Sequence, residues 1–444
     1  MTDMSWTYAH GRPICSGIVR TAERSPATPR TAARAEPDAG RPRKQARAVW
    51  FGVAVAVNGG LAVWSAGGGE VGGRAVVCSL AAFCLAVAAR HDGIVRGVFL
   101  LGRLVPSYRL HQLAYHVGQL HRAMAIAGMA WLAVAAALAV PLSPVTGVVS
   151  FGVLAILVVM ARTARDRVRH SRHNRFEQVH RLGGWAALAI LAVIVPLEAA
   201  RSLPPGSGLA ELLRQPSVLL LAALVMLVAH PWLTVRRLPA EVLALTSEVI
   251  VIALPGRYPR LGGFVRVSRE GREWHSFATA TTGDEGDGRY CVVIRRAGDW
   301  TERLARDIEH GHAPARLWVR TMHGHGFMYH AQAYRRVFMV ATGAGIGPVL
   351  PYLLGRSSVQ FECMWIGRSH RTAMGAELVD RVLAGGSVTL IDTSQGRPDV
   401  GACVARVAHR FDTVFVVSND AVRDSVGRAC EALNVPWHGP TFDS

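Results

Sequence analysis

The chain has 444 residues, half of them apolar, yet it carries 49 Lys and Arg against 31 Asp and Glu, a formal surplus of +18. That length exceeds one ordinary domain, and apolar content beside basic charge points to a lipid bilayer and away from nucleic acid, because the basic residues gather in the N-terminal tail and between apolar runs. The seven cysteines, at positions 15, 78, 84, 291, 363, 403 and 430, show neither C-x-x-C nor zinc-like spacing, so neither a disulfide framework nor a structural metal site is read from them.

Residues 1–46 are rich in Arg, Pro, Ala and Thr and lack a periodic apolar face, which predicts a disordered basic tail. An Arg-rich start also occurs in targeting peptides, but Glu23, Glu36, Asp38 and the prolines favour a cytosolic tail. Residues 47–238 hold six apolar runs, near 48–66, 73–90, 123–142, 146–161, 183–200 and 217–235. Each is about the length needed to cross ~30 Å of hydrocarbon as a helix. Arg90–Arg122 contains five arginines and Arg162–Arg181 seven, whereas the alternate connections are nearly free of them. This alternation predicts a multi-pass cell-membrane protein with both termini cytoplasmic. The stretch 94–118, with Arg96, Arg103 and Arg109, reads either as an amphipathic helix along the inner interface or as a packed loop.

The third and fifth spans open alike, on Gln119-Leu120-His121-Arg122 and Gln178-Val179-His180-Arg181. His121 and His180 therefore lie at the same face, with His230 at similar depth, and such a pair suits the axial positions of one b-type haem. The alternative is that each His–Arg pair caps its span at the interface. His111, His116, His170 and His173 are expected to be solvated or lipid-facing.

Beyond the spans, residues 239–333 contain short β-rich runs at 248–254, 262–268, 273–279, 289–296 and 315–320 with one helix-like stretch at 300–309, the pattern of a small antiparallel barrel. Residues 334–444 alternate strands (336–341, 360–366, 387–392, 413–418) with helices (348–355, 374–384, 399–409, 420–433), which predicts a doubly wound parallel sheet. The first strand runs into Thr342-Gly343-Ala344-Gly345-Ile346-Gly347-Pro348. Glycines there let the backbone approach a pyrophosphate, making Gly343, Gly345, Gly347 and Pro348 candidate nucleotide contacts. After the second strand stand Arg368, Ser369 and Arg371 where an acidic residue would read a ribose hydroxyl, which favours NADPH over NADH. An ordinary basic surface loop is the alternative.

A barrel and glycine strand behind six spans resemble the ferric reductase and NADPH oxidase superfamily. Arg295-Arg296-Ala297-Gly298-Asp299-Trp300-Thr301-Glu302 is similar to the segment whose arginine meets the flavin pyrophosphate, and Trp274-His275-Ser276-Phe277 to the His-Pro-Phe-Thr flavin motif. The resemblance implies a ferredoxin-reductase-like module with FAD against His275, Phe277, Arg295 and Thr301. More narrowly, Asp392-Thr393-Ser394-Gln395-Gly396-Arg397-Pro398-Asp399 and the ending Gly439-Pro440-Thr441-Phe442-Asp443-Ser444 resemble a transmembrane reductase-like unit that in fungi is fused to adenylate-forming, peptide-synthetase-like regions. The resemblance implies a membrane oxidoreductase passing electrons from NAD(P)H through FAD, with an adenylate-forming enzyme as partner. Without a second histidine pair the acceptor is expected at the inner leaflet, as a quinone, a lipid-soluble metabolite or an inner haem.

The sequence departs from that pattern in three places. Ser276 and Ala278 replace the motif's proline and threonine, Val134 and Val193 stand near the places of a second histidine pair, and Ser418-Asn419-Asp420 replaces Cys-Gly-Pro. These departures allow a second reading, a nucleotide-sensing membrane protein with reduced turnover.

Overall fold

The apolar runs form helices because nothing inside them competes for the backbone: Ala, Leu, Val and Gly dominate, and polar residues cluster at their ends. A computed structural model describes residues 6–9, 12–15, 41–67, 71–105, 107–165, 168, 171–256, 261–281, 288–355 and 357–439. The remainder, including most of the N-terminal tail, His170 and residues 440–444 of the terminal motif, lies outside the described residues. Within the tail a short hairpin, β1 (Trp6–Ala9) and β2 (Arg12–Cys15), pairs antiparallel.

The helices in order are α1 (Arg41–Ala66), α2 (Val71–Ala88), α3 (Asp92–Leu104), α4 (Tyr108–Tyr115), α5 (Gly118–Ala139), α6 (Pro144–Thr163), α7 (His173–Arg201), α8 (Leu209–Leu213) and α9 (Pro216–Leu233). Six of them, α1, α2, α5, α6, α7 and α9, are long and apolar enough to cross a membrane. Only 11 to 39% of each hydrophobic stretch is buried inside the protein. The rest points outward, as Phe51, Ile126, Val148, Leu182 and Met226 do, and that surplus of exposed apolar surface is what hydrocarbon would cover.

The chain divides into two compact units, the first made of Ala46–Ile94 and His116–Leu233. Its core joins Leu80, Leu132, Val153, Leu188, Leu191, Leu221 and Leu224. Small residues bring helices close: a Cβ on Gly128 would lie 2.6 Å from the Phe83 ring, and the Ser79 hydroxyl donates to Gly128 O at 2.9 Å.

The second unit contains Val95–Tyr115 together with the C-terminal half from Thr234, as well as the first 45 residues. The stretch expected as an interfacial helix or a loop is therefore a helical pair, α3 and α4, and it packs with the C-terminal half. There, β3 (Val235–Pro239), β4 (Glu241–Leu245), β5 (Val249–Pro255), β6 (Gly263–Ser268), β7 (His275–Thr281), β8 (Arg289–Arg295) and β9 (Arg316–His325) form one curled antiparallel sheet in the order β3-β9-β6-β7-β8-β5-β4. It is a half-barrel: β3 and β4 stand at opposite ends of that order, so the expected closed barrel is not completed by hydrogen bonds. Helix α10 (Asp299–Glu309) lends Trp300, Leu304 and Ala305 to a core with Ile250, Ile252, Val265, Val267, Ile294 and Leu317.

Next, β10 (Arg336–Thr342), β11 (Gln360–Gly367), β12 (Val388–Asp392), β13 (Thr413–Val417) and β14 (Trp437–His438) pair in parallel in the order β12-β11-β10-β13-β14. Alternate residues serve opposite faces, Met339, Ala341, Trp365 and Phe415 on one and Phe338, Val340, Met364 and Val416 on the other, so both faces are buried. The connecting helices are α11 (Leu350–Leu354), α12 (His370–Met374), α13 (Ala376–Ala384), α14 (Val400–Val407) and α15 (Asp420–Ala432). The expected helix 348–355 is a correction: a 3-10 turn, Gly343–Ile346, precedes a helix of only five residues. Gly355 ends it, so the bend lacks the long helix whose aligned amides would favour an anion.

Candidate functional site

Strand β10 is paired on one side with β11 and on the other with β13, so the strand order reverses at its C-terminal end, the position at which open parallel sheets bind ligands. The glycine bend sits there. Gly343 has φ +50, a left-handed conformation that side chains resist, and its carbonyl accepts from Trp365 Nε1 at 2.9 Å. A Cβ on Gly345 would lie 2.7 Å from Val417 O. The Thr342 and Ser418 hydroxyls share a hydrogen bond of 2.8 Å between the ends of β10 and β13. Gly343, Ala344, Gly345 and Pro348 remain half-exposed while Gly347 is buried, so the bend is left partly open by its own side chains.

Three groups missed in the sequence stand near the C-terminal end of this sheet, and one of them, Glu248, borders the bend. His370 is buried against Trp365, ring centroids 4.9 Å apart, and its Nε2 has no hydrogen-bond partner. Burial pushes its pKa down. Glu248 brings Oε2 to 3.7 Å from where a Gly343 Cβ would be. Asp392, at the end of β12, accepts from the Ser369 amide at 3.3 Å and the Ser394 amide at 2.8 Å. These amides, Ser394 foremost, hold its carboxyl below the usual range. Asp392 thus reaches the loop after β11 from the next strand, 23 residues away in sequence. Among the phosphate candidates, Arg368 is exposed, Ser369 is left-handed at φ 45, and Arg371 is paired with Asp380.

On β7, side chains alternate. His275 and Phe277 face Trp300, with centroids at 4.7 and 5.8 Å, and Phe277 joins the half-barrel core. Ser276, Ala278 and Ala280 occupy the other face, and Ala280 shares a core with Ile346 and Leu350 beside the glycine bend. His275 and Phe277 are therefore on the opposite face from the one serving the bend. His275 Nε2 lies 2.9 Å from Glu273. The Thr301 hydroxyl accepts from the Ala297 and Gly298 amides, both at 3.1 Å, and donates to Gly298 O at 2.9 Å. Arg296 is engaged by Glu302, Glu309 and the Thr246 carbonyl. Arg295 is exposed at the end of β8.

In the first unit the His121 and His180 ring centroids are 6.3 Å apart, and His121 Nδ1 lies 2.8 Å from Ala86 O, which orients the ring. His180 Nδ1 is buried without a hydrogen-bond partner. His230 belongs elsewhere, 3.2 Å from His91. Val134 and Val193 point outward, 43 and 59% exposed, so they do not mark a second inward-facing pair. Among the described residues no cluster of three or more His, Cys, Asp or Glu suits a metal ion. The expectation for His111 is overturned: it is wholly buried, in the second unit. A cavity of about 620 Å³ opens beside Tyr352, Ser357, Phe361 and Ser387, at the far edge of the sheet from the glycine bend.

Residues 327–444 match the family model described as "Adenylate-forming reductase 03009, C-terminal domain". Adenylate-forming reductase 06235 of Coprinopsis cinerea is 30% identical over 59% of this chain and 25% of its own length. Adenylate-forming reductase 03009 of the same fungus is 27% identical over 89% of this chain and 40% of its own. The chain thus spans a quarter to two fifths of the curated relatives it matches. Among solved structures, phthalate dioxygenase reductase is matched at 16% identity over 45% of this chain and 65% of that one, with a TM-score of 0.36. The flavohemoglobin of Malassezia yamatoensis is matched at 13% identity over 81% of this chain and 97% of that one, with a TM-score of 0.37. The chain is similar, in its C-terminal part, to the C-terminal domain of fungal adenylate-forming reductases.

Proposed function

We propose that this chain is a membrane-bound NAD(P)H-dependent oxidoreductase of the ferric-reductase-like kind, delivering electrons to a small, quinone-like acceptor at the inner leaflet. The observation that carries it is the half-open glycine bend at the point where the strand order of the parallel sheet reverses, with the Gly343 carbonyl held by Trp365 Nε1. Gly343 and Gly345 would hold the pyrophosphate by close backbone approach, with Gly347 buried behind them, and Arg368 and Ser369 would hold the 2′-phosphate of NADPH. Arg295 would meet the pyrophosphate of FAD, with Thr301 joining once its hydroxyl releases the two amides it now caps. Bound flavin would supply the conversion of a hydride into single electrons; the chain's own residues position and shield. His121 and His180 would be the ligands of one b-type haem, and both chain termini are proposed to be cytoplasmic. An adenylate-forming enzyme, as in the relatives' names, is the proposed partner.

The test is an absorption spectrum of the full chain purified in detergent, before and after NADPH. Flavin bands that bleach on addition support the reading, and colourless protein that leaves NADPH unoxidised rejects it. A second reading, a nucleotide sensor with little turnover, is favoured by the internal engagement of Arg296 and Thr301. Saturable NADPH binding without flavin reduction would select it.

A further inference from the structure

Helix α3 is apolar on two sides, and the C-terminal half of the chain covers one of them. Phe99 joins a core with Ala114 and Tyr329, and a Cβ on Gly102 would lie 2.7 Å from His330 Nε2, so that side is closely packed. Helical spacing turns Leu101 and Leu104 away from it, and Val105 follows them at the helix end. These three side chains are 63, 72 and 52% exposed, and among the described residues of the second unit no other large apolar side chain is more than half exposed. Leu110 on α4 is exposed as well.

A helix with apolar sides on opposite flanks is stable where both are covered. Two observations say what covers the second. The first is charge: Val95–Tyr115 carries Arg96, Arg103 and Arg109 and no Asp or Glu. Arg103 and Arg109 are exposed, and Arg103 is anchored through Nη1 to the Tyr329 hydroxyl at 3.2 Å. The second is chain length. Only Ala89, Arg90 and His91 separate α2 from α3, and only His116 and Val117 separate α4 from α5. Such links reach on the order of 10–15 Å when extended. The headgroup layer beside the hydrocarbon is itself ~5–8 Å deep. Both ends of the helix pair are therefore tethered at the surface of the bilayer that the spans would cross.

We propose that the outer side of the helix pair, formed by Leu101, Leu104, Val105 and Leu110, docks on the inner leaflet. The apolar side chains enter the acyl boundary, and Arg103 and Arg109 extend from it to lipid phosphates. Helix α3 is then a two-sided joint. Phe99 and Gly102 fix it to the C-terminal half, and Leu101 and Leu104 fix it to lipid, so the nucleotide-binding half is held at the leaflet from which the proposed acceptor would come. The inference rests on the membrane reading of the six spans.

The test is electron paramagnetic resonance of the full chain in nanodiscs of phosphatidylcholine and phosphatidylserine, with a nitroxide at Leu104→Cys and, in a separate protein, at Leu101→Cys. Both positions are exposed, so neither change disturbs the core, and the unsubstituted protein labelled alike gives the blank. Oxygen concentrates in lipid and a nickel chelate in water, so the ratio of their effects on relaxation locates each label. Ile126→Cys, 67% exposed on span α5, is the lipid reference, and Leu383→Cys, 37% exposed on α13, is the aqueous one. The oxygen-to-nickel ratio at both α3 positions is expected to lie above that of Leu383 and toward that of Ile126. A ratio at the Leu383 level overturns the proposal. So does closure to both reagents, the sign of cover by the N-terminal tail or a second copy. In either case an Ile126 label that still favours oxygen leaves the membrane reading standing. An Ile126 label that favours the chelate sinks the membrane reading, and the docking falls with it.

Discussion

A single missing Cβ decides whether the glycine bend can form. At Gly345 a side chain would meet Val417 O, a backbone atom fixed by the sheet, so Gly345→Val must push strands β10 and β13 apart. The expected cost is about 1–3 kcal/mol, with loss of NADPH binding in titrations that the wild type saturates. Wild-type affinity in this variant would remove the bend from the site. Acid acts on a different residue. His111 falls to about 4 in the folded protein against ~6.5 unfolded, so the unfolded chain binds the proton first. The stability it contributes is present above pH ~6.5 and is lost as pH falls toward 4, on the order of 3 kcal/mol, and urea unfolding at pH 7 and pH 5 should show it. The two residues also differ in how they read from sequence. A left-handed φ is written as glycine at Gly343, whereas His111 sits among arginines, and its burial depends on His330, more than 200 residues away.

At the scale of elements, α3 docks through a glycine. A Cβ on Gly102 would come 2.7 Å from His330 Nε2 and 3.2 Å from His111 Cδ2, two stacked rings 4.0 Å apart. Gly102→Val should therefore lever α3 away from the module, costing about 1–3 kcal/mol. Faster amide exchange along α3, with the spans unchanged, is the expected reading, and unchanged exchange would mean the helix is held elsewhere. Strands β10, β11 and β13 were legible because apolar runs bounded by glycines have few other solutions. Strands β3 and β4 were not, because Val235 continues the hydropathy of the last span and hides where helix gives way to strand. The helix after the glycine bend was overread: apolar residues from Val349 to Leu354 fit a helix, but Pro348, Pro351 and Gly355 confine it to five residues.

For the whole molecule, the second unit is discontinuous in sequence. Hydropathy reads locally and assigned Val95–Tyr115 to the membrane half, yet their tertiary partners are Phe327, Tyr329, His330, Tyr334 and His438. Those five residues are at most 6% exposed. Cutting the chain at the apparent domain boundary should therefore bare an aromatic and imidazole face with its polar atoms unpaired, a combination that costs about 1–3 kcal/mol for each orphaned group beyond the lost apolar burial. Residues 234–444 expressed alone should bind a hydrophobic dye, run as aggregates on gel filtration and unfold without a cooperative transition. The same fragment with residues 92–117 joined through a flexible linker should be monodisperse and cooperative. If the short fragment proves as stable as the module in the intact chain, the helix pair is an accessory, and the fold of the C-terminal half does not depend on the segment threaded between the second and third spans.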